Sequence, residues 1–378
     1  MKILFTGGGS GGHFYPIIAI AEAIYELTKD KKILTPKLYF MSPSKYNPRA
    51  LFDNNIEFVA VPAGKVRRYF SLLNFTDLFK TAYGIFIALV KLYRIYPDIV
   101  FGKGGYASFP TLVAARILRI PVMIHESDSK PGRVNVWAAK FAVKIAVSYP
   151  EAMKYFSERG YGDKVAFTGL PIRKGILEPL SHGANEFFAL EDGVPTILVL
   201  GGSQGAQKIN DMIIDSISEL VKRYQIIHQT GRNNIDMIRE TMGVVLKDND
   251  RANRYHPFDY MNDLSLRMSA GVASVVVSRA GSSIFEIAQW GIPSIILPLP
   301  ENVSHDQTEN AFSYARAGAC TVIEDRNFSS HILISAIDNI VNNKHVAETM
   351  RSSAKDFSHT DAASKIGLAL LDITLEHE

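Results

Sequence analysis

Cysteine is almost absent from this chain of 378 residues, which contains one, Cys320. A single cysteine excludes an intrachain disulfide and a cysteine-rich metal site, and it fits a reducing compartment. An excess of one charge is also missing, because 41 basic and 38 acidic residues give a formal net charge of +3. A balanced charge does not predict nucleic-acid binding, so contact with an anionic surface requires a local basic patch.

Long apolar runs are missing as well. The longest extends from Ala82 to Val90 and ends at Lys91. A membrane-spanning helix needs roughly 20 apolar residues, so no span is expected. The short apolar stretch at residues 3–5 runs straight into glycines, which predicts a buried strand rather than a signal peptide.

One pattern occurs twice: an apolar strand, a glycine-rich turn and a helical stretch. The two copies occupy residues 3–5, 7–12 and 17–27, and residues 196–200, 201–205 and 209–221. This order opens a doubly wound α/β domain. Since 378 residues are too many for one ordinary domain, we expect an α/β chain with two doubly wound parallel-sheet domains.

Further apolar runs suit strands that are covered on both faces, as in parallel sheets. They occupy residues 99–101, 122–124, 143–147, 275–277 and 295–297. The turn at Thr168, Gly169, Leu170 and Pro171 and the polar stretch 178–193 mark the boundary. The expected domains are therefore residues 1–172 and 173–349. The tail from Ala347 onward is predicted to be helical and could join either domain.

The glycine turns can bind anions. A glycine-rich turn at a helix N-terminus presents free backbone N–H groups and the positive end of the helix dipole, which suits a phosphate. Gly7, Gly9 and Gly12 satisfy the dinucleotide pattern G-x-G-x-x-G, yet the next strand ends in Ser42-Pro43 without the acidic residue that holds a ribose. A redox dinucleotide enzyme is therefore disfavoured, while tight turns for close packing stay possible.

Other polar clusters follow predicted strands. Gly102-Lys103-Gly104-Gly105-Tyr106 follows 99–101, and Pro110 is expected to open the next helix. In the second half, Ser282 or Ser283 precedes Glu286, which fits either a helix-capping box or a carboxylate that accepts both ribose hydroxyls. The run from Ser304 to Asn310 could hold sugar hydroxyls.

At these residues the chain resembles the MurG family, the UDP-N-acetylglucosamine–N-acetylmuramyl-(pentapeptide) pyrophosphoryl-undecaprenol N-acetylglucosamine transferases of peptidoglycan synthesis. The resemblance covers nearly the whole chain. It rests on Gly8-Gly9-Ser10-Gly11-Gly12-His13, Gly104-Gly105-Tyr106, His125-Glu126-Ser127-Asp128, Thr168-Gly169-Leu170-Pro171-Ile172-Arg173, Gly201-Gly202-Ser203-Gln204-Gly205-Ala206, Arg279-Ala280-Gly281 with Glu286, and Asp306-Gln307 with Asn310.

The resemblance implies a GT-B fold, two Rossmann-like domains facing across a cleft, with the tail 350–378 returning to the first domain. It implies that UDP-N-acetylglucosamine binds the second domain, with Ser203 at the phosphates, Glu286 at the ribose and Tyr260-Met261 near the uracil. The remaining implied donor residues are Ser10, Arg173, Gln204, Ala280, Gly281, Asp306 and Gln307. The implied acceptor is the undecaprenyl-diphosphate-linked muramyl-pentapeptide, and its implied contacts are Gly11, Gly12, His13, Gly104, Gly105, Tyr106, His125 and Asn135.

The implied reaction is an inverting transfer, which needs a base for the acceptor hydroxyl and a stabilised UDP leaving group. His13 is the first candidate for the base, because imidazole titrates near working pH, and Asp128 and His125 compete with it. Helix N-termini and an arginine stabilise a leaving diphosphate without a metal, so neither metal nor cofactor is expected. Many family members have His-Glu-Gln-Asn at 125–128 or two glutamines at 306–307, which weakens amide-specific roles there.

The segment 65–94 carries six basic residues against Asp77 alone. Its apolar residues recur at helical spacing, which predicts an amphipathic helix; they are Leu72, Phe75, Phe79, Tyr83, Phe86 and Val90. This helix faces either the protein core or a lipid surface, and Val66-Arg67-Arg68-Tyr69-Phe70 is the better candidate for lipid contact. We expect a peripheral protein at the cytoplasmic face of the membrane, attracted by anionic lipids.

Three other functions stay open from sequence. A related GT-B glycolipid transferase would keep the donor site without a diphosphate cradle at Gly104-Gly105-Tyr106. A UDP-sugar epimerase would consume the donor without an acceptor. A nucleotide-sugar-binding module would bind without turnover. None of these functions involves nucleic acid.

Overall fold

The structure, a computed structural model, describes residues 1–65, 73–201, 206–299 and 305–376, without the side chains of residues 73, 74, 305 and 306. The chain forms two compact units: Met1–Arg173 with His359–Glu378, and Lys174–Ser358. We refer to them as the first unit and the second unit. The segment 66–70, predicted for lipid contact, lies outside the described residues, as do Ser203 and Gln204.

The first unit is built on a parallel sheet of seven strands in the order β3-β2-β1-β4-β5-β6-β7. The strands are β1 (Lys2–Thr6), β2 (Lys37–Ser42), β3 (Ile56–Ala60), β4 (Ile99–Gly102), β5 (Val122–Glu126), β6 (Lys144–Val147) and β7 (Val165–Phe167). Ile3, Leu4 and Phe5 of β1 are all fully buried, as expected for a central strand that is covered on both faces.

Helices cover both faces of this sheet. They are α1 (Gly11–Asp30), α2 (Pro48–Asp53), α3 (Leu73–Ile95), α4 (Phe109–Ile117), α5 (Arg133–Ala138), α6 (Pro150–Phe156) and, from the end of the chain, α15 (Ala362–Glu376). The last helix packs on α1, and its Ile366 and Leu370 join the same apolar cluster as Ile3 and Phe5. The first unit therefore uses residues from both ends of the described chain in one core.

The second unit repeats the topology with six parallel strands in the order β10-β9-β8-β11-β12-β13. The strands are β8 (Thr196–Leu200), β9 (Gln225–Gln229), β10 (Tyr255–Phe258), β11 (Ala273–Ser278), β12 (Ser294–Ile296) and β13 (Cys320–Val322). The helices are α7 (Ala184–Phe188), α8 (Gln207–Leu220), α9 (Ile235–Val245), α10 (Asp263–Val272), α11 (Ser283–Trp290), α12 (His305–Arg316), α13 (Ser330–Asn342) and α14 (Lys344–Phe357). Two doubly wound parallel sheets confirm the predicted fold class.

The chain returns to the first unit at His359. The resemblance to the MurG family implied that the whole tail 350–378 belongs to the first domain. In the structure α14 packs on α11 within the second unit, where the ring of Phe357 lies 5.5 Å from that of Phe285. Only the part of the tail that contains α15 therefore belongs to the first unit.

Helix α3 exposes its aromatic residues. Phe75, Phe79, Tyr83 and Phe86 are 67%, 61%, 58% and 61% exposed. The opposite face, with the buried Ala88 and Leu92, packs toward α4. The interpretation of these aromatic residues as core-facing is therefore wrong, because Gly84, Ala88 and Leu92 of the helix face the core instead. In the described part of the chain, no helix is both long enough and apolar enough to cross a membrane.

Candidate functional site

The predicted acceptor residues meet at one edge of the first sheet. In the strand order, β1 stands between β2 and β4. Strands β2 and β3 therefore extend the sheet on one side of β1, and strands β4 to β7 extend it on the other. Doubly wound sheets bind ligands at such a point, at the carboxyl ends of the strands. The glycine loop 7–12 follows β1, and residues 103–106 follow β4. Strand β5 ends with His125 and Glu126, and Ser127 and Asp128 come next.

The two glycine loops are packed so closely that larger residues do not fit. Gly105 has a φ of 74°, and a Cβ atom there would lie 3.0 Å from Cε1 and Nδ1 of His13. A Cβ atom on Gly7 would lie 2.9 Å from Cβ of Lys103. Glycine therefore allows the loops after β1 and β4 to contact each other, with His13 on one side and the stem of Lys103 on the other.

His13 is the third residue of α1 and lies at the N-terminal end of the helix dipole. Its Nδ1 atom is buried and has no hydrogen-bond partner among the described residues. Burial, followed by the charge of Lys103, lowers the pKa of His13 to about 4. The imidazole is therefore neutral at pH 7, the form that accepts a proton.

A buried ionic cluster lies beside His13. The side chain of Lys103 is 1% exposed, and its ammonium lies 2.6 Å from Nδ1 of His125 and donates to Oγ of Ser127. Burial lowers the pKa of Lys103, while the carboxyl groups of Glu126 and Asp128 act in the opposite direction. The cation thus has two nearby anions that offset part of the cost of burying it.

Glu126 fixes the loop after β5. Its Oε1 accepts from the N–H of Asp128 at 3.0 Å, and its Oε2 accepts from the N–H of Gly132 and from Nδ2 of Asn135, both at 2.9 Å. Burial and then the carboxyl group of Asp128 raise the pKa of Glu126, and the three hydrogen bonds oppose that rise. Asn135 also donates to the carbonyl of His125 at 3.1 Å.

His125 itself is completely buried. Its Nδ1 contacts Lys103, and its Nε2 lies 3.2 Å from both the Gly169 carbonyl and Oγ of Ser148. Burial and then the charge of Lys103 lower the pKa of His125 well below its usual value. This geometry favours a positioning role for His125 over the predicted contact with an acceptor and over the role of base.

The other predicted residues of the first unit lie around this cluster. Ser10 is exposed at the start of α1, and Tyr106 lies against Gly9. The guanidinium of Arg173 lies 3.9 Å from the ring centre of Tyr15, on α1. Gly11 and Gly12, both partly exposed, form the first residues of α1, and Asp128 is partly exposed after β5.

In the second unit, the loop after β11 is tied to its neighbours. Arg279 donates to the carbonyls of Leu297 and Pro298 at 3.2 and 3.4 Å, and the Ala280 carbonyl accepts from Asn310 at 3.2 Å. A Cβ atom on Gly281 would meet nothing within 4 Å, so space is open there. These contacts leave the loop held in place with an open surface at its glycine.

Glu286 does not complete a capping box. The Ser282 side chain makes no capping hydrogen bond to α11, and Glu286 is the fourth helical residue rather than the third. The Ser283 hydroxyl lies 3.1 Å from that of Ser278 instead. Glu286 is partly exposed near the N-terminal end of α11, which follows the loop after β11.

The remaining predicted donor residues follow β10 and β12. The guanidinium of Arg232 lies 5.0 Å from the ring centre of Tyr260, while Met261 is buried. Oε1 of Gln307 accepts from the N–H of Leu299 at 3.2 Å. The side chain of Asp306 lies outside the described atoms. Among the described residues, no group of three or more His, Cys, Asp or Glu side chains could hold a metal ion.

Metal-dependent glycosyltransferases hold their metal with an Asp-x-Asp pair of carboxylates, and this sequence contains one such triplet, Asp248-Asn249-Asp250. It lies in the segment between α9 and β10, before the amino end of that strand. The loops described above follow the carboxyl ends of the strands. The triplet is therefore at the opposite edge of the second sheet from Tyr260 and Glu286.

Lys103 and Glu126 were given no role in the sequence analysis. Their signal was present as a lysine within a glycine run after one buried strand and a carboxylate directly after the next. What was missing is that β4 and β5 are neighbours in the sheet, which brings the two charges together below the loops.

Two doubly wound parallel sheets with glycine-rich and polar loops at the carboxyl ends of their strands form the GT-B fold, and solved structures share it. A MurG crystal structure from Acinetobacter baumannii superposes with a TM-score of 0.70 at 22% identity, covering 98% of this chain and 99% of that one. A putative UDP-N-acetylglucosamine 2-epimerase from Listeria monocytogenes superposes with a TM-score of 0.73 at 15% identity, covering 100% and 97%. The fold alone therefore does not separate transferase from epimerase.

Sequence comparison separates them. Residues 3–147 match the glycosyltransferase family 28 N-terminal domain, and residues 196–366 match the family 28 C-terminal domain. The UDP-N-acetylglucosamine--N-acetylmuramyl-(pentapeptide) pyrophosphoryl-undecaprenol N-acetylglucosamine transferase of Treponema denticola is 34% identical over 93% of both chains. Its counterpart in Legionella pneumophila strain Paris is 36% identical over 95% and 94%. The chain belongs to this transferase family, MurG, and the resemblance found in the sequence is confirmed.

Proposed function

We propose that this protein transfers N-acetylglucosamine from UDP-N-acetylglucosamine to the 4-hydroxyl of the muramyl sugar of lipid I, forming lipid II for peptidoglycan. The observation that carries the proposal is the family membership over more than nine-tenths of the chain. The His13 imidazole beside the two glycine loops is neutral at pH 7, the form that can take the proton of the acceptor hydroxyl, which supports this proposal.

In the proposed reaction the acceptor hydroxyl attacks C1 of the sugar and its proton passes to the His13 imidazole. The bond between C1 and the UDP oxygen breaks, and UDP leaves with that electron pair, which inverts the configuration at C1. Asp128 is the alternative base. The first unit holds the acceptor at Gly11, Gly12, Gly104, Gly105 and Tyr106, while His125 and Asn135 position the loops.

The second unit binds the donor in this proposal. Ser203 and Gln204 hold the phosphates with help from Ser10 and Arg173, and Tyr260 and Met261 lie near the uracil. Ala280, Gly281 and Glu286 surround the ribose, and Asp306 and Gln307 contact the sugar hydroxyls. Helix dipoles and the arginine stabilise the leaving UDP, so no metal and no cofactor are required.

The test is UDP release from UDP-N-acetylglucosamine with and without a short-chain lipid I analogue, in EDTA and in Mg²⁺, with products examined by mass spectrometry. We expect acceptor-dependent release, one added N-acetylhexosamine, and equal rates in both buffers. Interconversion of the donor sugar without acceptor would indicate an epimerase, and UDP release without acceptor would indicate a hydrolase. Turnover with diacylglycerol but not the lipid I analogue would indicate a glycolipid transferase, and UDP binding without turnover would indicate a binding module.

Glu286→Gln is expected to raise the KM for UDP-N-acetylglucosamine by roughly 10–100-fold, the cost of weakening charge-assisted hydrogen bonds to two hydroxyls. The kcat should stay near the wild-type value, because ribose contacts are lost equally in the ground and transition states. Steady-state kinetics with varied donor measure both. Glu240→Gln, on the exposed face of α9, is the matched control, and a wild-type KM for Glu286→Gln would remove the ribose role.

We also propose that α3 contacts an anionic membrane surface from the cytoplasmic side, so that the protein is peripheral. The helix carries the exposed Phe75, Phe79 and Phe86 in one row, with exposed Lys80 and Arg94 on the same helix. Apolar rings that enter the lipid boundary beside basic residues are typical of interfacial helices. Nearby cations add about 1 kcal/mol each at an anionic surface.

Phe86→Ser is expected to weaken binding to phosphatidylglycerol vesicles by roughly 10–100-fold, since burial of one phenylalanine contributes about 1.5–3 kcal/mol. Vesicle sedimentation across a salt series measures the partition, which should fall with salt and with neutral lipid. Phe187→Ser, an aromatic residue 51% exposed in the second unit, is the control. Equal sedimentation with neutral and anionic vesicles would contradict the proposal.

A further inference from the structure

We propose that Lys103 is a positioning residue of the acceptor site, whose buried ammonium supplies positive charge behind the glycine loops that take the acceptor diphosphate. This inference rests on the proposed transferase function. The family resemblance assigned no role to Lys103, and the structure places it at the centre of the cluster described above.

The Lys103 side chain lies deep in the first unit. A lysine that is 1% exposed carries a large desolvation cost, and fully buried lysines are rare unless they are paired. Lys103 is enclosed by both glycine loops, because its Cβ fills the space above Gly7 and its backbone N–H donates to the Thr6 carbonyl at 2.9 Å. The charge is thus built into the loops themselves.

The Lys103 ammonium contacts uncharged groups. Its contacts are a neutral imidazole and a hydroxyl, His125 and Ser127, so no carboxylate oxygen lies within hydrogen-bond distance of it among the described atoms. The nearest anions, Glu126 and Asp128, act through space. Three hydrogen bonds to Glu126 come from Asp128 and Gly132 in the loop after β5 and from Asn135 in α5. Part of the positive field of Lys103 therefore stays available to a ligand.

The positive charge of Lys103 lies next to a glycine turn that can bind phosphate. Gly104 and Gly105 follow Lys103 directly, both with positive φ, and the loop after β1 lies against them. Backbone N–H groups of glycine-rich turns bind phosphate oxygens. A cation behind such a turn, screened from water, attracts a diphosphate more strongly than an exposed lysine does.

The same charge acts on His13. The titratable groups that act on this imidazole are Lys103 after β4 and His125 in β5, and the carboxyl groups of Glu126 and Asp128 act on Lys103 in turn. Lys103 opposes protonation of His13 before the acceptor binds. Once the diphosphate neutralises Lys103, that opposition weakens, so acceptor binding and proton acceptance by His13 favour each other.

The experiment compares wild-type protein with Lys103→Met and Lys103→Gln, which keep an unbranched stem of similar length without the charge. The acceptors are two short-chain muramyl analogues, one with a diphosphate and one with a single phosphate. We expect the KM for the diphosphate acceptor to rise roughly 10–100-fold in both variants, the size of effect that a focused field produces. The donor KM should not change, and the preference for diphosphate over monophosphate should shrink.

The pH profile gives a readout that loss of packing alone would not move. Removal of the ammonium raises the pKa of His13, so the acid limb of kcat/KM should move to higher pH in both variants. Lys144→Met, an exposed lysine at the amino end of β6, is the control and should match the wild type. Circular dichroism confirms folding, and the glutamine variant serves if the methionine variant does not fold.

The outcomes separate the two levels of the argument. Wild-type protein without acceptor-dependent UDP release would overturn the proposed function itself. An active wild type, with folded Lys103 variants that keep the acceptor KM, the diphosphate preference and the acid limb, would overturn only the role of Lys103. Equal losses for diphosphate and monophosphate acceptors would also overturn it, because the charge would not act through the diphosphate.

Discussion

His13→Ala is expected to lower kcat by roughly 10²–10⁴-fold, the usual range for the loss of a general base. The reason is the environment of the imidazole: burial and Lys103 lower its pKa to about 4, so the ring is neutral and able to take the proton of the acceptor hydroxyl at pH 7. Rates of acceptor-dependent UDP release at saturating substrates measure the effect.

The control for this prediction is His331→Ala, which changes an exposed histidine on α13 and should keep the wild-type rate. The donor KM of His13→Ala should also stay normal, because the change lies in the first unit. If His13→Ala keeps a near-normal kcat, His13 is not the base. Asp128, the partly exposed carboxylate after β5, would then be tested by Asp128→Asn.

His228→Gln is expected to make the second unit less sensitive to acid. His228 is completely buried, with Nε2 3.0 Å from Oδ1 of Asn210 and Nδ1 2.8 Å from the hydroxyl of Tyr255. Burial lowers the pKa of His228 to about 3. Below pH 6.5 the unfolded chain therefore takes up a proton that the folded one does not, and the free energy of unfolding falls.

The expected loss from His228 is about 1.4 kcal/mol for each pH unit below 6.5, until the folded histidine is protonated near pH 3. Above pH 6.5 neither state binds this proton, so the contribution is constant. Other buried histidines change stability in the same direction and Glu126 in the opposite one. The difference between His228→Gln and wild type isolates one residue.

Urea unfolding at several pH values measures this slope. The chain contains two tryptophans, Trp137 on α5 and Trp290 on α11, so Trp137→Phe in all proteins leaves Trp290 to report on the second unit. Tyr255→Phe is the control, because it removes a hydrogen bond of His228 but leaves the ring buried, so the slope should persist. Equal slopes in His228→Gln and its parent would refute the assignment.

Most of the secondary structure was predictable from local pattern. The runs at 3–5, 196–200 and 275–277 are strands because a parallel sheet covered on both faces requires continuous apolar residues. The glycine turns were predictable for the same reason, since each one follows such a run. Which strands are neighbours in the sheet was not predictable from local pattern, and the ionic cluster of Lys103 and Glu126 depends on the pairing of β4 with β5.

Two other features required the structure. Helical spacing in 73–95 indicates two faces but not which of them the protein covers. In α3 the covered face carries Gly84, Ala88 and Leu92, while the aromatic residues are exposed. The helical tail gave no sign of where it changes units. That point follows from the packing of α14 on α11 and of α15 on α1.

The return of the chain to the first unit sets an order for folding during synthesis. The second unit is one continuous segment, Lys174–Ser358, so all of its strands and helices are synthesised before α15. The first unit begins earlier but lacks Ile366 and Leu370 of its core until α15 emerges. Domains generally fold as units once their residues are available, so here the half that is made first is the half that is finished last.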